Sequence, residues 1–242
     1  GGSTTHDIIQ ILELFLLDAG IEPTFYESEY AQYYQDAMFG NAELDAFKPD
    51  VIFIHTTNRN IKVHYPTMQD SRETVAAKLD AQTEHFTQMW SHLTEKFHAS
   101  IIQNNFDMPF YRLLGNRDAV DYRGRVRFLR TLNQRFADYA ESHSDFYIHD
   151  LDYLSASYGL DKWADPFFWY MYKYALCVPA IPTFAYSLAT MIKAIFGRLT
   201  AFTEEGKIVL LEEFGADYSI YFSILSSIAA GHAKFAEIAN DL

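Results

Sequence analysis

The residues at the start of the chain have the types and spacing for nucleophilic chemistry. Gly1-Gly2-Ser3-Thr4-Thr5 runs directly into the apolar stretch 8–17. A Gly-Gly-Ser turn that opens into a helix presents a serine hydroxyl beside backbone N–H groups, an arrangement suited to attacking a carbonyl or holding an anion. Ser and Thr are also the ordinary helix N-caps, so a plain capping role for Ser3 stands beside the reactive one. A serine needs a proton acceptor within reach. His55 and His149 each end an apolar, strand-like run and so fall where loops of an α/β sheet gather ligands.

Other clusters invite chemistry less strongly. His92, Glu95 and His98 follow one another in steps of three, but on a helix such steps drift round the surface, and no His-Glu-X-X-His pattern is present. A solvated helix face is the better reading, and no metal or cofactor is expected. Arg112, Arg117, Arg123, Arg125, Arg127, Arg130 and Arg135 concentrate positive charge in an otherwise acidic chain. Their plain reading is a solvated helix balanced by Asp118, Asp121 and Asp138; the sharper one is a docking patch for an acidic partner, centred on Arg125, Arg127 and Arg130. Cys177 sits among apolar residues and reads as a buried, inert thiol.

Composition narrows the function classes. The 242 residues are 49% hydrophobic and 17% aromatic, ample for a large α/β core. A formal net charge of -13 argues against nucleic acid and anionic membrane surfaces as partners. One cysteine excludes an internal disulfide and fits a reducing cytoplasm, and no secretory leader is visible. Residues 175–192 carry no charge and are long enough to suggest a membrane span. Pro179, Pro182 and the bracketing Lys173 and Lys193 favour a buried turn and a core helix instead.

The elements that must position these residues follow from pattern. Thr4 or Thr5 caps a predicted helix over 6–19, ended by Gly20, whose apolar stripe is wide enough to predict cover on more than one side. A strand is predicted over 21–26 despite Pro23, then a tyrosine-rich helix over 29–38 and a short helix capped by Asn41. Val51-Ile52-Phe53-Ile54 reads as a central parallel strand that delivers the polar loop 55–60. Helices over 71–97, 124–142 and 183–196 alternate with strands over 100–106 and 146–148, a doubly wound parallel sheet flanked by helices. The strand that should precede the Ser3 turn is missing: either it is not in this sequence, or the spare strand-like run at 207–211 fills its place, with one more helix over 218–242.

Taken in order, these motifs resemble two nested families. Gly2-Ser3-Thr4 resembles the nucleophile block of SGNH (GDSL-type) hydrolases, Gly40 falls near the second-block glycine, and Asn58 takes the asparagine position of the third block. Asp165-Pro166-Phe167-Phe168 stands in the late Asp-X-X-His block, with Phe168 where the histidine belongs. From Ile101 onwards, Gln103-Asn104-Asn105-Phe106-Asp107, Leu114-Gly115-Asn116, Leu132-Asn133, Trp163 to Asp165, Trp169-Tyr170 and Lys173 resemble the N-terminal, SGNH-like half of FkbH-like proteins, in which a haloacid-dehalogenase-type phosphatase domain follows.

The resemblance implies an SGNH-like, flavodoxin-like three-layer sandwich over 1–198 and a strand–helix extension over 199–242. It implies Ser3 and Asp165 as catalytic residues and an oxyanion hole from Ser3, Gly40 and Asn58. It also implies an acyl or glyceryl substrate, or an acyl carrier protein, as partner. The Asp-X-Asp-X-Thr motif of the phosphatase half is not in this sequence. Phe168 accepts no proton, so hydrolysis would need His55 or His149 as a substitute base. Plain alternatives stay open: loop ordering for Asn58, and a turn or helix cap for Asp165. The sequence therefore supports two functions: a binding module with weak or absent hydrolysis, or a serine esterase or acyltransferase with a non-standard base.

Overall fold

The computed structural model describes residues 1–197. The predicted strand at 207–211 and helix at 218–242 lie outside the described residues. The chain divides into two compact units, Gly1–Ala189 and Thr190–Leu242, and the architecture below is that of the first.

Helix α1 (His6–Asp18) buries Ile8, Leu12 and Leu16, one row at four-residue spacing. Leu14 and Leu17 face solvent, so its cover is narrower than the apolar run predicts. Gly20 adopts φ +76, and the amides of Gly20 and Ile21 return to the carbonyls of Leu17 and Leu16, the paired bonds that stop a helix at a left-handed residue. Neither threonine caps α1: the Thr4 hydroxyl donates to the Tyr172 carbonyl and that of Thr5 to Glu27.

The predicted strand over 21–26 is an unpaired coil. Pro23 has no N–H for a ladder, and Glu22, Thr24 and Phe25 are exposed. Helix α2 (Tyr33–Phe39) starts later than predicted, because Ala31 takes φ +60 while its amide donates to the Gly1 carbonyl. Asn41 does cap α3 (Ala42–Phe47), its side chain accepting from the amides of Glu43 and Leu44.

Three parallel strands follow in the order β1 (Val51–Ile54), β2 (Ser100–Asn104), β3 (Phe146–His149). The crossovers contain α4 (Arg72–Phe97) and α5 (Arg125–Glu141). The register pairs Ile52 with Ile101 and Ile101 with Phe146, so these three share one face. That face joins a core with Phe86, Met89 and Trp90 of α4 and Leu132 and Phe136 of α5. Trp90 and Phe86 are fully buried, and the Trp90 indole N–H donates to Gln103 of β2 at 3.1 Å. Truncating either ring to Ala costs about 3–5 kcal/mol.

After β3 come α6 (Leu151–Tyr158), α7 (Leu160–Trp163), α8 (Pro166–Tyr172) and α9 (Ile181–Gly197). Phe184 of α9 rests against Phe53 of β1 and the rings of His55 and His149, on the sheet face opposite the α4–α5 core. Val178–Phe196 is long and apolar enough to cross a membrane by length and composition, with mean hydropathy 1.3. Ala180, Ile181, Phe184, Ala185 and Leu188 within it are buried, as in a core helix. Cys177 is half-exposed rather than buried, and its thiol donates to the Lys162 carbonyl at 2.8 Å.

Candidate functional site

The carboxyl ends of β1 and β2 are tied together by one side chain. Asn104 Oδ1 accepts the Thr56 amide at 2.8 Å, while Asn104 Nδ2 donates to the carbonyls of Thr56 and Asn105. An amide N–H only donates and a carbonyl only accepts, so these contacts fix which end of the carboxamide is oxygen. His55 Nδ1 lies 3.2 Å from that same oxygen and must therefore carry the proton. The Nε2 lone pair is left as a free acceptor, buried and without a partner among the described residues. Burial pushes the His55 pKa down to about 3, so the ring is neutral at neutral pH.

The Ser3 segment is tethered to this end of the sheet from several sides. The Gly2 amide donates to the His55 carbonyl at 2.7 Å, Asn60 Nδ2 donates to the Gly2 carbonyl at 2.8 Å, and the Thr4 amide donates to the Lys173 carbonyl at 3.0 Å. Position 2 admits only glycine without adjustment, since a Cβ there would collide with the Asn60 carboxamide. Ser3 is 2% exposed, and its Oγ makes no hydrogen bond among the described residues. It is therefore not the cap of α1, and it is not hydrogen-bonded to an imidazole.

The remaining predicted residues are placed as follows. His149, at the end of β3, meets Ser187 Oγ through Nε2 at 3.0 Å; its Nδ1 is buried and without a partner among the described residues, and burial lowers its pKa to about 4. Asn58 Nδ2 donates to Asp107 Oδ1 at 3.1 Å, the loop-ordering role. Asp165 caps α8, accepting the Phe167 amide at 2.8 Å. Phe168 packs among Phe167, Tyr172 and Tyr174. Gly40 stands apart. It is exposed, with φ +86, and has Lys96 and Asp45 rather than the strand ends as neighbours. The arginines also separate: Arg127 and Arg130 are exposed one turn apart, whereas Arg125 lies 4.8 Å over the Tyr65 ring.

Four site residues had no individual role assigned from sequence: Arg59, Asn60, Asn104 and Asp107. Their signal was the polar run 103–107 at the end of an apolar strand and the asparagines flanking Arg59. Asp107 is 7% exposed, and burial raises its carboxyl to about 6, against hydrogen bonding from Asn58 and the charge of Arg59. The Arg59 guanidinium in turn lies 4.5 Å over the Trp169 ring of α8. The strand ends thus gather an unpartnered serine, an acceptor imidazole, a buried carboxyl and a stacked arginine.

A search of curated proteins finds no match to this chain. Among solved structures, it is similar to the N-terminal part of the protein BF1531 from Bacteroides fragilis, described as containing a phosphatase domain and complexed with Mg. The TM-score is 0.69 at 17% identity, over 81% of this chain, which spans about half (51%) of that one. At that identity the likeness carries the fold alone. The family model described as "FkbH, N-terminal domain" matches residues 15–193, and the chain belongs to that family.

Proposed function

We propose that this chain is the SGNH-hydrolase-like module of an FkbH-like biosynthetic protein. On this reading it binds an acyl or glyceryl substrate, or the acyl carrier protein that bears it, at the carboxyl ends of the strands, with weak or absent hydrolysis. The observation that carries the reading is Ser3. Its hydroxyl is buried and has no hydrogen-bond partner among the described residues, and by the resemblance to SGNH hydrolases Phe168 stands where their histidine belongs. A serine hydroxyl that is un-ionised at neutral pH attacks slowly without a base.

Carrier docking falls to the exposed pair Arg127 and Arg130, with Arg125 contributing through its partly buried stem. Charge reversal at all three, followed by a pull-down with acyl carrier protein, tests this: binding that survives the reversal removes the patch from the proposal. The reading as a whole is tested with a short-chain nitrophenyl ester. Turnover close to background, unchanged in Ser3→Ala, is expected.

A second reading has its own support. Asn104 holds His55 in the tautomer whose Nε2 accepts a proton, the geometric requirement of a general base, while burial keeps the ring weakly basic in this arrangement. An active serine esterase or acyltransferase would pair Ser3 with His55 after a local rearrangement. Rapid ester turnover lost in both Ser3→Ala and His55→Gln would establish it and remove the first reading.

A further inference from the structure

We propose that Arg59 and Lys173, each of which lies over the indole of Trp169, form a subsite for an oxyanion group, a carboxylate or a phosphate monoester, on the ligand of the strand-end site. The inference deepens the reading above. It rests on the strand ends being a ligand site, and it does not require Ser3 to react.

Arg59 lies 4.5 Å and Lys173 Nζ 5.8 Å from the Trp169 ring centroid. The ring's negative face holds a cation in place but does not neutralise it. Among the described residues the Arg59 guanidinium has no hydrogen-bond or ion-pair partner, and Lys173 Nζ has one long contact, 3.5 Å to the Tyr170 carbonyl. Stacking of the planar guanidinium leaves its N–H edge free, and that edge matches the geometry of a carboxylate or phosphate. The carboxylate that feels Arg59 is Asp107, which is buried and already hydrogen-bonded by Asn58. Tyr170 also lies within electrostatic reach of Arg59.

Both cations are mounted on residues that flank the serine. Arg59 precedes Asn60, which donates to the Gly2 carbonyl, and the Lys173 carbonyl accepts the Thr4 amide. In a chain of net charge -13, two cations without ion pairs among the described residues lie over one ring. An anion bound there would supply acceptors to donors that have none, or only one long contact, among the described residues.

Trp169 is the natural reporter, because Trp90 and Trp163 are fully buried and Trp169 is half-exposed. The full chain would be titrated with inorganic phosphate, and separately with acetate, at constant ionic strength set with chloride, while tryptophan fluorescence is followed. A saturable change in the millimolar range is expected. It should weaken about tenfold in Arg59→Gln and in Lys173→Gln. It should vanish in Trp169→Phe while calorimetric binding remains. Saturation by phosphate alone identifies a phosphate group, and by acetate alone a carboxylate. A change that is absent or linear for both anions overturns the proposal, as does unaltered binding in both cation variants. Arg59→Lys, which keeps the charge and loses the fork, stands in if Arg59→Gln does not fold. Binding that persists in Ser3→Ala separates this subsite from the ester and carrier assays, which can fail without it.

Discussion

At the scale of single residues, the strand ends hold polar groups whose protonation is set by fixed partners. Asn104 makes the acceptor nitrogen of His55 Nε2 by geometry, so long-range nitrogen NMR should find the proton on Nδ1 at neutral pH. A proton on Nε2 would contradict the assigned amide orientation. Asp107 is the opposite case: burial disfavours its charge, and its folded pKa of about 6 lies above the value of an unfolded aspartate. Such a group costs nothing below the unfolded pKa, where both states are protonated, and stability falls as pH rises from there through about 6. Asp107→Asn keeps the acceptor for Asn58 and loses the charge. It should be more stable than the parent at pH 7.5 by up to about 3 kcal/mol, with a smaller gap at pH 5. Urea midpoints at the two pH values check this; a variant less stable at pH 7.5 would mean that the Arg59 charge outweighs desolvation.

The elements show where the sequence was readable and where it was not. Strands β1, β2 and β3 and helices α4 and α5 lie close to their predicted positions, because apolar periodicity and caps at Ser71, Asn41 and Asp165 are local signals. The errors fall where distant contacts decide. Thr4 and Thr5 bond to Tyr172 and Glu27 instead of capping α1, and Ala31 bends to meet Gly1. Within the site, the Asn58–Asp107 bond spans 49 positions, and no local pattern announces it. The start of α5 gives an element-scale test. Asp118 is 1% exposed and its carboxylate accepts the amides of Arg125 and Val126, so the helix is capped from the preceding turn. A Cβ on Gly124 would overlap the Asp118 backbone, which cannot swing aside as a flexible side chain can. Gly124→Ala should therefore destabilise by about 1–3 kcal/mol, the overlap adding to the ordinary preference for Gly over Ala at an N-cap. Equal or higher thermal stability would show that the turn yields without cost.

Across the whole molecule, the buried imidazoles should dominate the response to acid. His55 and His149 have folded pKa values of about 3 and about 4, below the ordinary histidine value, because burial excludes the charged form. His85, half-buried near Lys62, is lowered to about 4 and adds in the same direction. For a lowered histidine, the unfolded chain takes up the proton first, so stability is full above about pH 6.5 and declines as pH falls towards the folded pKa values. Asp107 opposes this between about pH 4 and 6, where the folded state holds a proton that the unfolded one has released. Between pH 6 and 5 the balance leaves the unfolded state with one to two extra protons. That corresponds to a loss of roughly 1.4–3 kcal/mol per pH unit. The chain's net charge of -13 shrinks over the same range, which by itself would relieve self-repulsion and stabilise the fold. The two effects have opposite signs, so the experiment separates them. Unfolding free energies at pH 7, 6 and 5 should decrease, the slope should steepen by one proton in Asp107→Asn, and it should flatten by one in His149→Phe. A stability that rises on acidification, or a slope indifferent to both variants, would mean that surface charge and not the buried strand-end imidazoles governs the acid response.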